Sequence, residues 1–327
     1  MGRKLKRKEE GIAIVILVVF LLAAVVLSLF LGSVYISPGE LFKSEIFWQI
    51  RLPRVILAAL IGLLLSTSGV ILQGILRNPL ADPYILGISA GAAVGAAVSI
   101  ALGAQFVIFG MSSLPVAAFI SALVAVFIVY ILAQVAGKTT PETLILAGVA
   151  LSAFCAAILS LIIILSGNLQ SIYFWLLGSL SSASWSNVLT VLPYAVIGAA
   201  VAYFFSKELN ALLLGEEMAS TLGVEVENTR LILIGAASLM TAAAVSVSGL
   251  IGFVGLIVPH WIRLIIGPNH RLLIPVSALS GMLLMVVADT IARTVLSPVE
   301  IPIGIVMALV GAPFFLYLLR RRRTEGK

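Results

Sequence analysis

The chain has 327 residues, of which 61% are apolar and only 10% are charged. Soluble domains carry about 25% charged residues, so this composition excludes an ordinary soluble globule. Strand-like alternation is lacking, which argues against an outer-membrane barrel. The net charge of +6 comes from basic residues at chain ends and in short loops, which indicates membrane orientation and not a nucleic-acid partner. The single cysteine, Cys155, excludes an intrachain disulfide.

Apolar runs broken by Gly, Pro and charge predict ten membrane-spanning helices, because about 20 apolar residues cross a bilayer. The predicted spans are 12–31, 54–75, 86–109, 114–136, 143–166, 188–206, 231–249, 252–267, 272–291 and 303–320. The predicted fold is therefore all-α and polytopic, one domain over 1–327 with the bundle at 12–320. The first run is expected to be a retained spanning helix, because its apolar core is longer than that of a signal peptide.

The distribution of Lys and Arg predicts the orientation of the chain. Ten spans put both termini on one side, and with the N-terminus inside, sixteen of the 20 basic residues lie in inner segments. The four outer basic residues are Lys43, Arg51, Arg54 and Arg293. An excess of positive charge on the cytoplasmic side is expected of a correct topology. We therefore expect a multi-pass protein of the cytoplasmic (inner) membrane with both termini in the cytoplasm.

The predicted spans lack the groups that ion-driven carriers use. No Asp, Glu, Lys or Arg lies clearly in the middle of a span, whereas proton- and voltage-driven machines place ionisable groups there. An ion-coupled secondary transporter is therefore an alternative and not the first choice. His260 and His270 have no carboxylate or thiol cluster beside them, so no metal site is predicted. The motif at 137–139 lacks the earlier glycine and the strand of a phosphate-binding loop, so we predict no nucleotide site and no catalytic residue.

The stretch LLGEEMASTLGVEVENTR at 213–230 is unusual because it brings charge into an apolar chain, in the loop 207–230 between spans six and seven. Glu216 and Glu217 favour a helix start through the macrodipole, and Gly223 is a typical stop. Apolar residues recur every four positions and form a stripe. The stripe consists of Leu214, Met218 and Leu222. The pattern predicts about two turns of amphipathic helix, which either lies against the membrane or contacts a partner.

Three stretches of the chain resemble one family of membrane permeases. They are RLPRVILAALIGLLLSTSGVILQGILRNPLADPYILGISAGA at 51–92, GLIGFVGLIVPHWIRLIIGPNHRLLIPVSALSGMLLMVVADTIAR at 249–293 and EIPIGIVMALVGAPFFLYLL at 300–319. Together they resemble the FecCD/BtuC-like permease family, the transmembrane subunits of type II ATP-binding-cassette (ABC) importers. The resemblance implies a homodimer of ten-helix subunits, two separate ATPase chains that hold ATP and Mg, and one extracytoplasmic substrate-binding protein. It implies no cofactor in this chain.

The resemblance also implies a role for the acidic segment. In the family, this position is the coupling helix that sits in a cleft of the ATPase. The residues to which this role is carried over are Leu214, Gly215, Glu216, Glu217, Met218, Ala219, Ser220, Thr221, Leu222 and Gly223. Motion of the ATPase would then tilt the permease subunits through this helix.

Three of the outer arginines match the docking arginines of a cobalamin-importer relative, which pair with glutamates of the binding protein. The matching positions are Arg51, Arg54 and Arg293. The planar guanidinium fork suits such bidentate contacts with carboxylates. Alternatively, Arg293 pairs with Asp289 one helical turn earlier, and the other two arginines mark a membrane boundary.

The fifth span lines the central path in the family, and here it carries small residues. The path candidates are Ala147, Gly148, Ser152 and Ala156, with Thr139 and Thr140 as gate candidates by position. An ordinary turn is an equal alternative for the two threonines. Iron-siderophore is the commonest cargo of the family and is therefore the expected one. Cobalamin, haem and molybdate or tungstate are the alternatives.

Overall fold

The computed structural model describes residues 2–32, 39, 41–108, 111–135 and 137–325. The α-helices in chain order are α1 (Gly2–Phe30), α2 (Leu52–Ile75), α3 (Ile88–Ala101), α4 (Ser113–Ala133), α5 (Pro141–Ser166), α6 (Leu169–Leu176), α7 (Trp185–Phe204), α8 (Ser206–Leu212), α9 (Glu216–Thr221), α10 (Val226–Ser248), α11 (Val254–Ile266), α12 (His270–Thr294) and α13 (Ile303–Glu325). A π-helical turn, Phe47–Arg51, leads into α2, and 3-10 turns lie at Leu41–Lys43 and Pro83–Leu86.

Two short antiparallel hairpins accompany the helices. Strands β1 (Val107–Ile108) and β2 (Met111–Ser112) connect α3 to α4. Strands β3 (Gln134–Val135) and β4 (Lys138–Thr139) connect α4 to α5, and Gln134 pairs with Thr139. The protein is thus an all-α bundle, as predicted.

Each predicted span coincides with an apolar helix. Within the described residues, six helices are long and apolar enough to cross a membrane, and four shorter apolar helices match the remaining four predicted spans. The predicted end of the third span at 109 is wrong, because α3 stops at Ala101 and Gly103 turns the chain with a φ of +57°. Positions 109, 136 and 327, which the predictions included, lie outside the described residues.

The bundle has two ends, which we name by their residues. The Arg54 end holds Arg54 at the start of α2, where the Trp185 indole N–H at the start of α7 donates to the carbonyl of Trp48 at 2.9 Å. The α9 end holds α9 and Arg77, which follows the end of α2. Helix α1 ends at the Arg54 end, where Arg51 donates to the Leu29 carbonyl at 2.8 Å. Helix α13 begins three residues after Glu300, which bonds Arg54, so α13 runs from the Arg54 end toward the α9 end.

Helix α2 forms the trunk of the bundle. A Cβ added at Gly62 would lie 2.1 Å from the carbonyl oxygen of Gly281 in α12, and one at Gly69 would lie 1.8 Å from that of Gly255 in α11. Without side chains at these crossings, the helix backbones approach closely and pack in direct contact. On another face, the Ser68 hydroxyl donates to the Ala237 carbonyl of α10 at 3.1 Å. Helices α10, α11 and α12 therefore pack directly on α2, and α7 packs on it as well.

The linker between α2 and α3 is fixed by hydrogen bonds. Asp82 caps the turn Pro83–Leu86 by accepting the Tyr84 amide at 2.8 Å, as its position before a proline predicts. The Tyr84 hydroxyl donates to the carbonyl of Ile251 and accepts its amide, both at 3.0 Å. Burial raises the pKa of Asp82 to about 6, against the amide hydrogen bond that lowers it. Burial, followed by the nearby Asp82, also raises the pKa of the Tyr84 hydroxyl.

Candidate coupling and docking sites

Helix α9 lies where the sequence predicts the amphipathic helix. It spans six residues, just under the two turns predicted, and begins after Gly215, whose φ is +105°. Gly223, at a φ of +85°, ends it: its amide donates to the Ser220 carbonyl at 2.9 Å, and the Val224 amide donates to the Ala219 carbonyl at 3.1 Å. These two bonds form a Schellman motif, which favours glycine at the left-handed position.

The two faces of α9 are in different environments. Ala219 is fully buried and packs with Ala211 and Leu212 of the α8 region. The apolar stripe points away from the bundle and is left uncovered by the described part of the chain. Its exposed fractions are 65% at Leu214, 53% at Met218 and 61% at Leu222. Such an exposed apolar group, held on a short capped helix, is typical of a contact surface.

Glu216 connects α9 to the bundle. Its carboxylate accepts from Arg230 Nη2 at 2.6 Å and lies 3.7 Å from Arg77. Arg230 is 1% exposed and also donates through Nη1 to Glu227 at 2.7 Å and to the carbonyl of Thr139. In the sequence, Arg230 is only one of the sixteen inner basic residues. The Glu227-x-x-Arg230 spacing was the available signal, since residues three apart share a helix face.

The two gate candidates occupy the turn before α5. Thr139 ends β4, is buried, and donates to Glu227 through its amide at 3.3 Å and its hydroxyl at 3.1 Å. Thr140 is the N-cap of α5: its hydroxyl accepts the Thr143 amide at 3.3 Å, and Thr143 returns the contact by accepting the Thr140 amide at 3.1 Å. This reciprocal capping box defines where α5 begins. The gating role of both threonines stays a prediction.

The path candidates on α5 lie in unlike surroundings. Gly148 is buried against the linker, where an added Cβ would be 2.1 Å from the Ile85 carbonyl oxygen. Ser152 lies close to Gly87 of the same linker, its hydroxyl 3.7 Å from a Cβ added there. Ala147 is half-buried and Ala156 is exposed. Gly148 therefore packs α5 against the subunit, and Ala156 faces away from it.

The three docking candidates are buried within the subunit. Arg54 donates to Asp289 at 3.0 Å and to Glu300 at 2.9 Å. Arg293 forms the alternative ion pair foreseen with Asp289, at 3.3 Å, and also donates to the carbonyl of Leu31 in the segment after α1, at 2.6 Å. Arg51, 4% exposed, binds carbonyls at the end of α1.

Glu300 is the partly exposed member of this group, at 34% of its side chain. Glu300 has no predicted role, because it stands 246 positions from Arg54. Local sequence patterns cannot predict an ion pair between residues that are so far apart in the chain. The outer arginines are thus held by contacts within the subunit, and their docking role stays a prediction.

Comparison with known proteins agrees with this architecture. Residues 20–321 match the model of the FecCD transport family. The chain is 50% identical over 278 residues to the cobalamin import system permease protein BtuC of Halobacterium salinarum, covering 85% of this chain and 74% of that protein. It is 39% identical to the hemin transport system permease protein HmuU of Yersinia pestis, covering 99% and 98%.

A solved structure, described as an inward-facing conformation of a metal-chelate type ABC transporter, superposes with a TM-score of 0.83. Its sequence is 35% identical, and the match covers 93% of this chain and 97% of that one. The helical bundle and these relatives define a multi-pass permease subunit of an ABC importer. The chain belongs to the FecCD transport family.

Proposed function

We propose that this chain imports a bulky metal chelate, with transport driven by ATPase chains that bind the apolar stripe of α9. The observation that carries the proposal is the stripe itself, which is exposed at Met218 on α9 and at Leu214 and Leu222 on either side of this helix. On the opposite face of α9, the buried Ala219 packs this helix against the bundle. ATP and Mg belong to the partner chains, and this chain has no cofactor of its own in the proposal.

The proposed assembly contains two copies of this chain, two ATPases and one binding protein. The exposure of α5 is the evidence for a second copy, because its own subunit leaves most of the apolar surface of this helix uncovered. We place the α9 end and both termini in the cytoplasm and the Arg54 end outside the inner membrane. The basic residues at the α9 end, which include Arg77 and Lys138, support this orientation.

The proposed cargo is a metal chelate such as a corrinoid or a ferric siderophore, and not an oxyanion. A cavity of about 440 Å³ at the Arg54 end is lined by hydroxyls and aromatic rings, and none of the described residues that line it is charged. Its polar lining includes Ser112, Ser179, Ser182, Ser184, Ser186, Asn187, Ser246 and Ser248. Uncharged hydrogen-bonding groups suit amide- or hydroxyl-bearing chelates, whereas molybdate or tungstate calls for cationic partners. The 50% identical relative is named for cobalamin, so a corrinoid is the first cargo to test.

The coupling proposal is tested by changing the stripe. A tagged chain with Leu214, Met218 and Leu222 changed to serine is purified from its native membrane, and co-purifying ATPase is quantified by mass spectrometry. We expect wild type to retain an ATPase and the triple variant to lose it. The control is Leu102→Ser, a 76% exposed apolar residue after α3, at the other end of the bundle. Equal ATPase recovery with the triple variant would show that the stripe lies against lipid instead.

The cargo is tested by uptake into cells that lack the chromosomal copy of this gene. Labelled cobalamin, ferric hydroxamate and ferric citrate are each supplied at limiting concentration, with and without the plasmid-borne chain. Restored uptake of one chelate identifies the cargo. Uptake that persists without any ATPase would favour an ion-coupled carrier.

The docking role is best tested at Glu300, because replacing the buried Arg54 also damages the fold. Glu300 occupies one edge of the Arg54 guanidinium at 2.9 Å. If a binding-protein carboxylate takes that place, Glu300→Gln removes an internal competitor, and the affinity for the binding protein should rise several-fold in surface plasmon resonance. An unchanged affinity would assign Arg54 to subunit stability alone.

A further inference from the structure

Arg230 contacts three elements of the structure at the α9 end. Its Nη2 donates to Glu216 of α9 at 2.6 Å, and its Nη1 donates to Glu227 of α10 at 2.7 Å. Nη1 also donates to the carbonyl of Thr139 in β4, with the Thr139 hydroxyl at 3.4 Å. One guanidinium therefore contacts α9, the first turn of α10 and the strand before α5.

The charges of this cluster make the contacts interdependent. Arg230 is 1% exposed, whereas the side chains of Glu216 and Glu227 are 37% and 35% exposed. A buried cation without partners is strongly unfavourable, so Arg230 has to follow its carboxylates when either moves. Glu227 in turn accepts the Thr139 amide and hydroxyl through its other oxygen. A displacement of Glu216 is thus passed through Arg230 to Thr139, both by the bond from Arg230 to the Thr139 carbonyl and by way of Glu227.

The residue after Thr139 is the N-cap of α5. Thr140 holds the first turn of α5 by the capping box with Thr143, so any shift of β4 acts on the start of that helix. Beside the ion pairs of Glu216 with Arg230 and Arg77, α9 is attached by an apolar contact at Ala219. Apolar contacts slide more readily than paired charges, because they are not directional. The ion-paired route is therefore the stiffer of the two.

We propose that Arg230 is a positioning residue that transmits the displacement of α9 to the start of α5. The proposal rests on the proposed function of α9 as the ATPase contact. Arginine is required because its fork presents separate nitrogens to Glu216 and to Glu227 at the same time, whereas the single ammonium of lysine cannot keep both distances. Movement of α9 by the ATPase would then move the turn at Thr139 and Thr140 in the same step.

The first test uses the chain alone in lipid nanodiscs and measures hydrogen exchange at the Thr139 amide. Glu227→Gln removes the acceptor charge, and we expect exchange about tenfold faster. Glu216→Gln is the diagnostic variant, because Glu216 reaches Thr139 only through Arg230. We expect an increase of about threefold there. The control is Glu225→Gln, a neighbouring exposed carboxylate whose hydrogen bond is to Asn228.

Faster exchange in Glu227→Gln with no change in Glu216→Gln would overturn the proposal, since α9 would then be uncoupled from β4. Equal changes in Glu216→Gln and Glu225→Gln would also overturn it, because the effect would be a general loss of carboxylate. Neither outcome depends on an ATPase, so the result is independent of the proposed role of the stripe.

The second test measures uptake per ATP hydrolysed in the assembled importer, recovered with its own ATPase and binding protein. We expect Arg230→Lys to keep the ATPase bound and hydrolysing while uptake per ATP falls several-fold, with Glu225→Gln at the wild-type ratio. If Arg230→Lys is not recovered folded, Glu216→Gln replaces it. An unchanged ratio with ATPase bound would refute the relay alone, whereas a complex that never contains an ATPase would refute the proposed function.

Discussion

Helices α2 and α5 are both long and apolar, yet they occupy opposite situations in the subunit. In the most apolar 18-residue stretch of Phe47–Ile75, 89% of the residues are buried, whereas in the corresponding stretch of α5 only 11% are. Helix α2 is covered by α7, α10, α11 and α12, whereas α5 packs along one side on α3, α4 and the linker after α2. Hydropathy alone does not separate these two helices, because lipid and protein are equally apolar neighbours.

The difference shows which contacts constrain the sequence of each helix. In α2, glycines stand at the crossings with other backbones, so the sequence is constrained by contact with its own subunit. In α5, large apolar side chains such as Leu146 and Ile164 are more than 70% exposed. Their surface is available to lipid or to a second copy of the chain. Helix α2 therefore determines the fold of the subunit, whereas α5 determines what can pack against the outside of the subunit.

The strongest way to break the trunk is Gly69→Leu. A Cβ at this position would lie 1.8 Å from a backbone oxygen that cannot move aside, so we expect the helices to separate and no folded protein to be recovered. Fluorescence-detected gel filtration in detergent measures the folded yield. Gly235→Leu is the control, because no atom lies within 4 Å of a Cβ there; equal yields of the two variants would contradict the packing described for α2.

A second change attacks the buried charges that join α2 to α12. Asp289 is 1% exposed and pairs with both Arg54 and Arg293. Asp289→Asn leaves two buried guanidiniums short of a counter-charge, and we expect a loss of about 3 to 5 kcal/mol in the free energy of unfolding in mixed micelles. Glu300→Gln, at the partly exposed partner, should cost less than about 1 kcal/mol. A reversed order of these two losses would show that the Glu300 pair is the principal one.

The linker between α2 and α3 makes the stability of the protein depend on pH. Burial raises the Asp82 pKa from 3.8 to about 6, so the folded protein holds this proton more tightly than the unfolded chain. This contribution to stability is complete below pH 3.8 and is lost as the pH rises through about 6. Its size is roughly 1 to 3 kcal/mol. Unfolding measured between pH 4 and pH 7 should show this component in wild type and not in Asp82→Asn, which retains the capping oxygen; identical pH profiles would exclude Asp82 as its origin.

The smallest effect on the subunit is expected from the exposed face of α5. Phe154 is 63% exposed, so Phe154→Ala should change the free energy of unfolding of the isolated subunit by less than about 0.5 kcal/mol. Leu64→Ala, at a fully buried position of α2, should cost about 2 to 5 kcal/mol. If a second copy covers α5, Phe154→Ala should also weaken self-association in analytical ultracentrifugation. An unchanged dimer would leave lipid as the neighbour of Phe154.

The sequence predicts the parts of this molecule that depend on local pattern. Hydropathy locates the ten apolar helices, and a period of four with flanking glycine locates α9 and the stop at Gly223. The end of α3 at Ala101 was missed because the following apolar residues continue the hydropathy signal although Gly103 turns the chain. Long-range pairs such as Arg54 with Glu300 were missed because no local rule connects residues so far apart. The burial of the outer arginines follows from those pairs.

The exposed stripe of α9 affects how stable the subunit is in the cell before assembly. Leu214, Met218 and Leu222 expose apolar surface on a segment that the proposed topology places in the cytoplasm. An uncovered patch of this kind attracts other apolar surfaces, including those of chaperones and proteases. A subunit made in excess of its ATPase should therefore be short-lived, and its abundance in the cell should follow the supply of the ATPase.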